Sequence, residues 1–339
     1  MRNSLLMAGC VLFAYSLSLN AQEYAISGRI PLESDNGWDY LITDSANGQL
    51  YVSHGTEVDV VDLAAEKPIG KISGMKRIHG IAVANDLNRG FISDGGDDAV
   101  VIFDLKSRAV LQKVPAGRNP DGILYDPYSK RVFAFNGRSN DMTAIDATSG
   151  KVAGTVGLDG KPEFPVTDGK GNVYVNIEDK SEIVQIDPQA LKVKKTWPIS
   201  PCEEPSGLAI DLNARRLFSV CSNNKMAVVN ADSGQVVSTV AIGNGPDAAA
   251  YDPVNRLVFS SNGEGTLTIV RQDGADKYTV LANLPTERSA RTMALDTKTH
   301  KVYLSAAQLG PAPEATPDNP HPRPKMVPGS FHILVVSPH

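Results

Sequence analysis

The sequence predicts an all-β fold, a seven-bladed β-propeller with four-stranded blades, and three observations lead to it. A tetrapeptide of aromatic and β-branched residues occurs seven times, at spacings of 40 to 44 residues. Each copy is followed by two further strand-like segments with turn residues between them. No segment keeps a helical period of apolar residues over a useful length. Repeats of this length with four short strands are typical of propeller blades, whose sheets bury both faces against their neighbours.

The repeated tetrapeptide begins with Tyr or Phe and marks the second strand of each predicted blade. The copies are YVSH at Tyr51, FISD at Phe91, FAFN at Phe133, YVNI at Tyr174, FSVC at Phe218, FSSN at Phe259 and YLSA at Tyr303. In five copies an Asp stands seven residues before the aromatic residue, at Asp44, Asp126, Asp211, Asp252 and Asp296. Pro, Asn, Gly, Lys or Arg stand in between, which indicates a turn between the first two strands of the blade.

The last repeat supplies only three strands, so the last blade needs a fourth strand from elsewhere. The segment 24–31 precedes the first repeat as the outer strands precede the other repeats. We therefore expect this N-terminal strand to close the last blade and to cover its open edge. Residues 22–339 then form one seven-bladed domain.

Residues 1–21 have the pattern of a secretory signal peptide. Arg2 precedes an apolar stretch from Leu5 to Leu19, which is shorter than the roughly 20 residues of a membrane span. A lipobox-like Met7-Ala8-Gly9-Cys10 leaves lipoprotein processing as the alternative. We expect a secreted or periplasmic protein without a transmembrane span.

Two cysteines, Cys202 and Cys221, follow the signal peptide. In an oxidising compartment, an even number of cysteines predicts a disulfide between them. Pairing the strands about the Leu212-Asn213 turn sets Cys221 opposite Ser206, so Cys202 needs only a short fold-back to reach it. Two free thiols are one alternative. A copper or zinc site is another, although no nearby His or second CxxC supports it.

The run VVNADSGQVVSTVAIGNGPDAAAYDPVNRLVFSSN, residues 228–262, closely resembles the repeat of secreted YVTN-type propellers, the YncE-like proteins. The resemblance extends over nearly the whole chain after the signal peptide, through YVSH, YVNI, FSSN and the NPDGI and GPDAA turns. It implies a β-propeller fold. It implies much less about function, because similar propellers serve both as binding platforms and as enzymes.

Polar residues recur at two positions of the repeat that share one face of a propeller. The first position, where the innermost strand begins, forms what we call the mouth ring: Asp39, His79, Asp121, Glu163, Ser206, Asp247 and Arg291. The second, at the end of the tetrapeptide, forms what we call the second ring: His54, Asp94, Asn136, Asn176, Cys221 and Asn262. Glu163 is aligned through a one-residue deletion, and Asn176 stands one place early. We expect both rings to converge at the mouth of the central channel and to bind a ligand there.

Carboxylates gathered at one mouth repel one another unless a cation offsets their charge. A calcium-like divalent cation held by Asp39, Glu163 and Asp247 would do so, with amide oxygens of the second ring as neutral ligands. His54 and His79 would suit a transition metal instead. The alternative is that short polar side chains after proline, as in Pro120-Asp121, only cap turns and face water. No other cofactor is indicated.

The last blade carries an insertion, residues 306–330, which contains seven prolines together with His321 and Arg323. Its composition predicts an extended segment too polar for a core. Its position after the second strand places it on the face that carries both rings. We expect a partly ordered lid or partner-contact loop, and disorder is the alternative.

Two function classes fit these features, and the first is favoured. A non-enzymatic binding module would hold a small molecule, a glycan or an envelope protein at the channel mouth. A divalent-metal-dependent hydrolase, similar to gluconolactonase-type propellers, would use the metal to polarise a lactone carbonyl and a carboxylate as base. Those enzymes are commonly six-bladed, and their motif segments are not recognisable here.

Composition and motifs exclude several other classes. The formal net charge of -5 with mixed signs gives no basic stripe for nucleic acid, and 42% hydrophobic residues is too many for a disordered chain. A redox subunit similar to amine-dehydrogenase propellers lacks the tryptophan repeats, since only Trp38 and Trp197 occur. We expect a monomer.

Overall fold

A computed structural model describes residues 23–33, 36–314, 316 and 324–339. These residues form seven four-stranded antiparallel sheets, which confirms the seven-bladed β-propeller. The helical segments among them are two single 3-10 turns, Asn85–Leu87 and Glu178–Lys180. No helix in this part of the chain has the length and apolar character that a membrane crossing needs. The predicted signal peptide, residues 1–21, lies outside the described residues.

Blades one to six each use four consecutive strands, and the first strand of each blade is the innermost. Blades one to three contain β2 (Trp38–Asp44), β3 (Gln49–His54), β4 (Glu57–Asp62), β5 (Lys67–Ile72), β6 (Ile78–Ala84), β7 (Arg89–Asp94), β8 (Ala99–Asp104), β9 (Val110–Pro115), β10 (Pro120–Asp126), β11 (Arg131–Asn136), β12 (Asp141–Asp146) and β13 (Val152–Gly157). Blades four to six contain β14 (Pro162–Thr167), β15 (Val173–Ile177), β16 (Glu182–Asp187), β17 (Lys192–Pro198), β18 (Pro205–Asp211), β19 (Arg216–Cys221), β20 (Lys225–Asn230), β21 (Val236–Ala241), β22 (Pro246–Asp252), β23 (Leu257–Asn262), β24 (Thr266–Gly274) and β25 (Lys277–Pro285).

Blade seven joins the two ends of the chain, as the sequence predicts. Its inner strands are β26 (Met293–Asp296), β27 (Lys301–Ala306) and β28 (His332–Pro338), and β1 (Tyr24–Pro31) is the outermost strand. Tyr24 pairs with Pro338 and Pro31 pairs with His332, so β1 covers the full length of β28. The side chains of Tyr24 and Ile30 are buried. The N-terminal strand therefore closes the ring of blades through both hydrogen bonds and apolar packing.

The core lies between the blades, where the faces of neighbouring sheets pack together. The aromatic residue of every repeated tetrapeptide is fully buried there: Tyr51, Phe91, Phe133, Tyr174, Phe218, Phe259 and Tyr303. Phe133 of blade three, for example, belongs to the same buried cluster as Val173 of blade four. The repeat thus encodes a large side chain at each interface, and the predicted turn Asp fixes the adjoining hairpin. Asp126 Oδ2 accepts the backbone N–H of Ser129 at 2.9 Å, which is one such turn.

Candidate functional site at the channel mouth

A bulge at the start of the innermost strands positions the mouth ring. In blade one Trp38 pairs with His54, and the next pair is Leu41 with Val52, so Asp39 lies where the register shifts. The same shift follows Ile78, Pro120, Pro162, Pro205 and Pro246. A bulge bends its strand and re-aims side chains. Mouth-ring residues directly follow all six of these positions, and Glu163 therefore occupies its predicted place in the ring.

Contacts between blades hold the backbone of the mouth ring, and two of the three residues that make them, Ser93 and Ser261, were missed by sequence reasoning. The Ser93 hydroxyl donates to the Asp121 carbonyl at 2.6 Å, and the Asn176 amide donates to the Ser206 carbonyl at 2.9 Å. The Ser261 hydroxyl donates in the same way to the Arg291 carbonyl. All three stand at the third place of a tetrapeptide, so the recurrent Ser or Asn there was the available signal.

Two carboxylates of the mouth ring, from blades one and three, converge on the imidazole of a third member in blade two. His79 Nδ1 lies 2.6 Å from Asp39 Oδ2 and 3.8 Å from Asp121 Oδ1. On its other side, His79 Nε2 accepts a hydrogen bond from Arg77 Nε at 3.2 Å, and Arg77 also binds Asn119 Oδ1 at 2.8 Å. The Arg77 donor fixes the tautomer, because an accepting Nε2 leaves the proton on Nδ1. His79 therefore donates to Asp39, and Asp121 is left with the weaker contact.

The remaining members of the ring form local pairs. Glu163 Oε1 lies 2.7 Å from Lys161 Nζ, which also binds Glu178. Asp247 is paired with Arg291 across the boundary between blades six and seven. The Ser206 hydroxyl donates to the Pro246 carbonyl at 3.1 Å. Charge around the mouth is therefore compensated unevenly, and Asp39 and Asp121 share a single imidazole.

Tyr40, which the sequence analysis did not select, lies at the centre of this arrangement. Its side chain crosses from blade one to blade four, where its ring centroid is 5.3 Å from that of Phe164. The residue is only 8% exposed. Burial raises the pKa of its hydroxyl well above the usual value, and the charges of Asp121, Glu163, Asp247 and Asp39 raise it further. Among the described residues, none is hydrogen-bonded to this hydroxyl.

The same concentration of negative charge is visible in the carboxyl groups themselves. Burial, and then the charge of Asp121, raise the pKa of Glu163 to about 8 in spite of Lys161. Burial raises the pKa of Asp247 to about 6, although Arg291 opposes this. Burial also raises the pKa of Asp121, with a further contribution from Asp39. Burial alone would lower the pKa of His79, but Asp39 and Asp121 outweigh it, so that pKa is raised.

Below the mouth, the innermost strands of blades one to five surround an apolar cavity of about 330 Å³. Tyr40 and Phe164 contribute to its wall, as do Gly80 and Gly122, which directly follow His79 and Asp121. Further along the channel, side chains such as Val83 line it. The cavity therefore begins directly beneath the acidic side of the mouth ring.

The second ring is not exposed at the mouth. Its six residues are all fully buried: His54, Asp94, Asn136, Asn176, Cys221 and Asn262. Asn262 Nδ2 donates to Thr266 Oγ1 and to Thr268 Oγ1, both at 3.0 Å. Asp94 accepts a hydrogen bond from Lys113 Nζ at 2.9 Å, and His54 Nδ1 lies 2.8 Å from Asp59 Oδ2. Most of these side chains bind other strands of their own blade, Asn176 binds the neighbouring blade, and their burial gives them no access to a ligand at the mouth.

Cys202 and Cys221 form the predicted disulfide, with their Cα atoms 5.7 Å apart. Cys221 pairs with Pro205 rather than with Ser206 as the sequence analysis expected. The difference arises from the bulge at the start of β18, which displaces Ser206 from regular pairing. The disulfide fastens the loop before β18 to the end of β19.

The base of the insertion 306–330 flanks the mouth beside Arg291. Leu309 and Met326 form an isolated bridge, and Gly310 N donates to the Lys325 carbonyl at 2.8 Å. Together with Trp38 and Arg291 this base lines a second cavity of about 680 Å³. His321, Arg323 and the adjoining prolines Pro317, Pro320 and Pro322 lie outside the described residues, so the predicted lid stays a prediction.

One group among the described residues has donors close enough for a metal ion. The ligand atoms of Asp39, His79 and Asp121 lie within 4.8 Å of one another. The calcium-like set of Asp39, Glu163 and Asp247 stays a prediction, and in it Glu163 pairs with Lys161 and Asp247 with Arg291. Two carboxylates and an imidazole suit a transition metal by donor type. The geometry opposes it, because His79 could release Nδ1 to a metal only if Arg77 ceased to donate to Nε2.

Comparison with known proteins bears on the fold alone. No protein-family model matches the sequence, and no curated protein matches it. Among solved structures, the WD40 repeats of RRP9 align with a TM-score of 0.78 at 8% identity, covering 93% of this chain and 100% of that one. U3-55K aligns with a TM-score of 0.76 at 8% identity, covering 91% and 97%.

Hydrazine synthase of Kuenenia stuttgartiensis aligns with a TM-score of 0.64 at 15% identity, covering 80% of this chain and 94% of that one. Likeness at such identities shows the fold and carries no function with it. The chain is thus a seven-bladed β-propeller of WD40-like fold. Its particular role has to be argued from the mouth of its channel.

Proposed function

We propose that the protein is an extracytoplasmic, YncE-like β-propeller that acts as a binding module through its channel mouth and takes a positively charged ligand there. One observation carries the proposal: Asp39 and Asp121 share the single imidazole of His79 at the channel mouth, where the charges of Asp39, Asp121, Glu163 and Asp247 all raise the pKa of the Tyr40 hydroxyl. A cation at this place would offset the repulsion among the carboxylates. Concave sites with a few convergent polar groups are the usual form of small-molecule sites.

The extracytoplasmic location is supported by two features. The Cys202–Cys221 disulfide is of a kind that persists in oxidising compartments. The pattern of residues 1–21 is that of a secretory signal. Membership of the YncE-like family is supported by the YVTN-type repeats within the confirmed blades.

The test is a thermal-shift screen with matched cationic, neutral and anionic small molecules, run on the wild type and on Asp121→Asn. We expect cations to raise the melting temperature of the wild type and to lose most of that effect in the variant. Gln189→Ala, an exposed change far from the mouth, serves as the control. Stabilising compounds that act equally on wild type and Asp121→Asn would overturn binding at the mouth.

A divalent-metal-dependent hydrolase is the second candidate, because Asp39, His79 and Asp121 come within metal-ligand distance of one another. The hydrogen bond from Arg77 to His79 speaks against it. Elemental analysis of the purified protein, together with calcium, zinc and manganese titrations, decides between them. A stoichiometric metal whose binding is lost in His79→Ala, with lactone hydrolysis that depends on it, would favour the hydrolase.

A further inference from the structure

The mouth ring and the cavity beneath it form one continuous site with two different chemical ends. The upper end carries carboxylates, and the lower end is an apolar chamber of about 330 Å³. Gly80 and Gly122 mark the junction, because each follows a mouth-ring residue and also lines the cavity. A ligand bound at the mouth therefore has an apolar space directly below its charged group.

We propose that the ligand is a small organic ammonium ion, whose charged nitrogen lies among Asp121, Glu163 and Tyr40 and whose apolar substituent occupies the channel cavity. The inference rests on the proposed function and adds the chemical class of the ligand. A bare metal ion would leave the cavity without a role, and a neutral apolar molecule would leave the carboxylates uncompensated.

The hydrogen-bonding groups suit an ammonium ion. Such a group has three N–H donors and no acceptor. Within the part of the chain that the structure describes, Asp121 has no close donor, since its nearest ion-pair contact is His79 Nδ1 at 3.8 Å. The hydroxyl of Tyr40, a residue only 8% exposed, has no hydrogen bond among the described residues and supplies an acceptor whose pKa the same carboxylates raise. The aromatic faces of Tyr40 and Phe164 favour a cation by their quadrupoles as well.

The cavity has the size and position to hold the substituent. Apolar cavities of about 150 Å³ in other proteins bind benzene, and this one has about twice that volume. Its wall comes from blades one to five, on the side of the mouth where His79, Asp121 and Glu163 lie. A short alkyl chain or one aromatic ring attached to the nitrogen would be removed from water there.

Several charged and titratable groups surround the proposed position of the ammonium nitrogen, so binding of the ligand should depend on pH. They are Asp39, Tyr40, Arg77, His79, Asp121, Lys161, Glu163, Glu178, Asp247 and Arg291. Since the pKa of Glu163 is raised to about 8 without a ligand, a bound cation would lower it and release protons at neutral pH. Affinity should therefore rise with pH up to that range.

Calorimetric titration of the whole protein with n-alkylammonium ions, from methyl to hexyl, tests the inference. We expect affinity to increase about fourfold for each added methylene until the cavity is full. Hexanol and hexanoate, matched in length but neutral and negative, should bind at least tenfold more weakly than hexylammonium. Titration in buffers of different ionisation enthalpy should show proton release at pH 7.

Two kinds of variant test the charged end and the apolar end of the site separately. Asp121→Asn should weaken the whole series about tenfold or more, whereas Val83→Phe should flatten the dependence on chain length by filling the cavity. Ile210→Phe, from another blade, serves the same purpose if Val83→Phe does not fold. Val254→Ala, at an exposed residue, is the control.

Outcomes that contradict the inference differ from those that contradict the proposed function. Binding that depends on Asp121 but is independent of chain length would overturn the ammonium ligand with a buried substituent and leave a cation site at the mouth. Binding of calcium but of no ammonium ion, again lost in Asp121→Asn, would do the same. If no cation of any kind depends on Asp121, both proposals fail.

Discussion

The mouth ring and the second ring come from the same repeat and lie within one strand pair of each other, yet Asn262 and Asp121 differ in burial and in partners. Asn262 of the second ring is fully buried, and both of its amide hydrogens are donated to threonines of its own blade. Asp121 of the mouth ring keeps 20% of its side chain exposed, and its nearest ion-pair contact among the described residues is His79 Nδ1 at 3.8 Å. Asn262 therefore finds its partners within its own blade, whereas Asp121 leaves most of its hydrogen-bonding capacity open to the channel mouth.

The difference shows how a repeat can hold structure and function at neighbouring positions. The second ring ends a strand that is covered by the third strand of the blade, so its polar atoms must find partners inside. The mouth ring lies at a bulge, where pairing is interrupted and the side chain is turned toward the channel. Substitutions in the second ring should therefore change stability, and substitutions in the mouth ring should change binding.

Blade seven has no polar second-ring residue, because its second strand ends with Ala306. The stability of this blade therefore depends on other contacts. Its closure depends on β1, which buries Tyr24 and Ile30. Deleting residues 22–32 should remove more than about 5 kcal/mol of unfolding free energy and lower the melting temperature by roughly 10 °C or more. Arg29→Ala, at an exposed residue of the same strand, should cost almost nothing. A truncated protein with the melting temperature of the full chain would refute closure by β1.

Within the second ring, Asn176 has the most extensive contacts between blades. Its amide donates to the carbonyls of Ser206 and Gly207 at 2.9 and 3.1 Å, and its oxygen accepts from Ser219 at 3.0 Å. Asn176→Ala should cost about 3 kcal/mol in urea unfolding, because buried polar groups lose their partners. Gln189→Ala, on an exposed turn, should change stability by less than about 0.5 kcal/mol. Equal effects of the two changes would mean that the bonds of Asn176 contribute nothing.

At the second-ring position of blade five, Cys221 forms a disulfide, where Asn176 and Asn262 form hydrogen bonds. Its disulfide with Cys202 closes a loop with a sequence separation of 19. In the chain-entropy description, a loop of this size stabilises the native state by about 3 kcal/mol. The double variant Cys202→Ser/Cys221→Ser should lose about that much, and reductant should lower the denaturation midpoint of the wild type but not of the variant. A midpoint of the wild type that ignores reductant would contradict the prediction.

The two rings also differ in how well the sequence predicts their positions and their burial. Blade number and the closing strand follow from spacing, because strand length, turn chemistry and repeat period are local properties of the chain, and the disulfide follows from the even number of cysteines after the signal peptide. Membership of the mouth ring also follows from spacing, since the bulge recurs at one position of the repeat. The burial of the second ring does not, because it depends on which neighbouring strand covers each residue.

The repeat pattern could not predict the role of Tyr40 for a related reason. Its role depends on crossing the channel to Phe164, three blades away. The pairing of Glu163 with Lys161, and of Asp247 with Arg291, likewise depends on side-chain reach at the mouth. The prediction of a calcium-like site from these carboxylates did not take Lys161 and Arg291 into account. The period of the repeat predicts which residues lie together at the mouth. The balance of their charges depends on side-chain contacts, which the structure shows.

The carboxyl groups of the mouth ring should make stability fall as pH rises. Glu163, with a pKa raised to about 8, binds more protons in the folded state than in the unfolded state, where the pKa is about 4.3. Unfolding free energy should therefore decrease between about pH 5 and pH 8. Glu163→Gln should make the curve flatter, by on the order of 1–2 kcal/mol across this window. Urea unfolding of both proteins at intervals of pH measures the difference, and parallel curves would contradict the raised pKa.

The smallest effect on stability should come from Asp121→Asn, which is also the change with the clearest effect on binding. Burial raises the pKa of Asp121, so its charged form is unfavourable in the folded protein. Removing that charge should leave the unfolding free energy unchanged or raise it by up to about 1 kcal/mol, while the thermal shift caused by cations is lost. Asp247→Asn is the matched comparison: burial raises the pKa of Asp247 as well, but Arg291 offsets part of its charge, so this change should stabilise the protein less than Asp121→Asn does. If Asp121→Asn destabilised the protein as much as Asn176→Ala does, Asp121 would belong with the structural residues of the second ring, and the division between the rings would not hold.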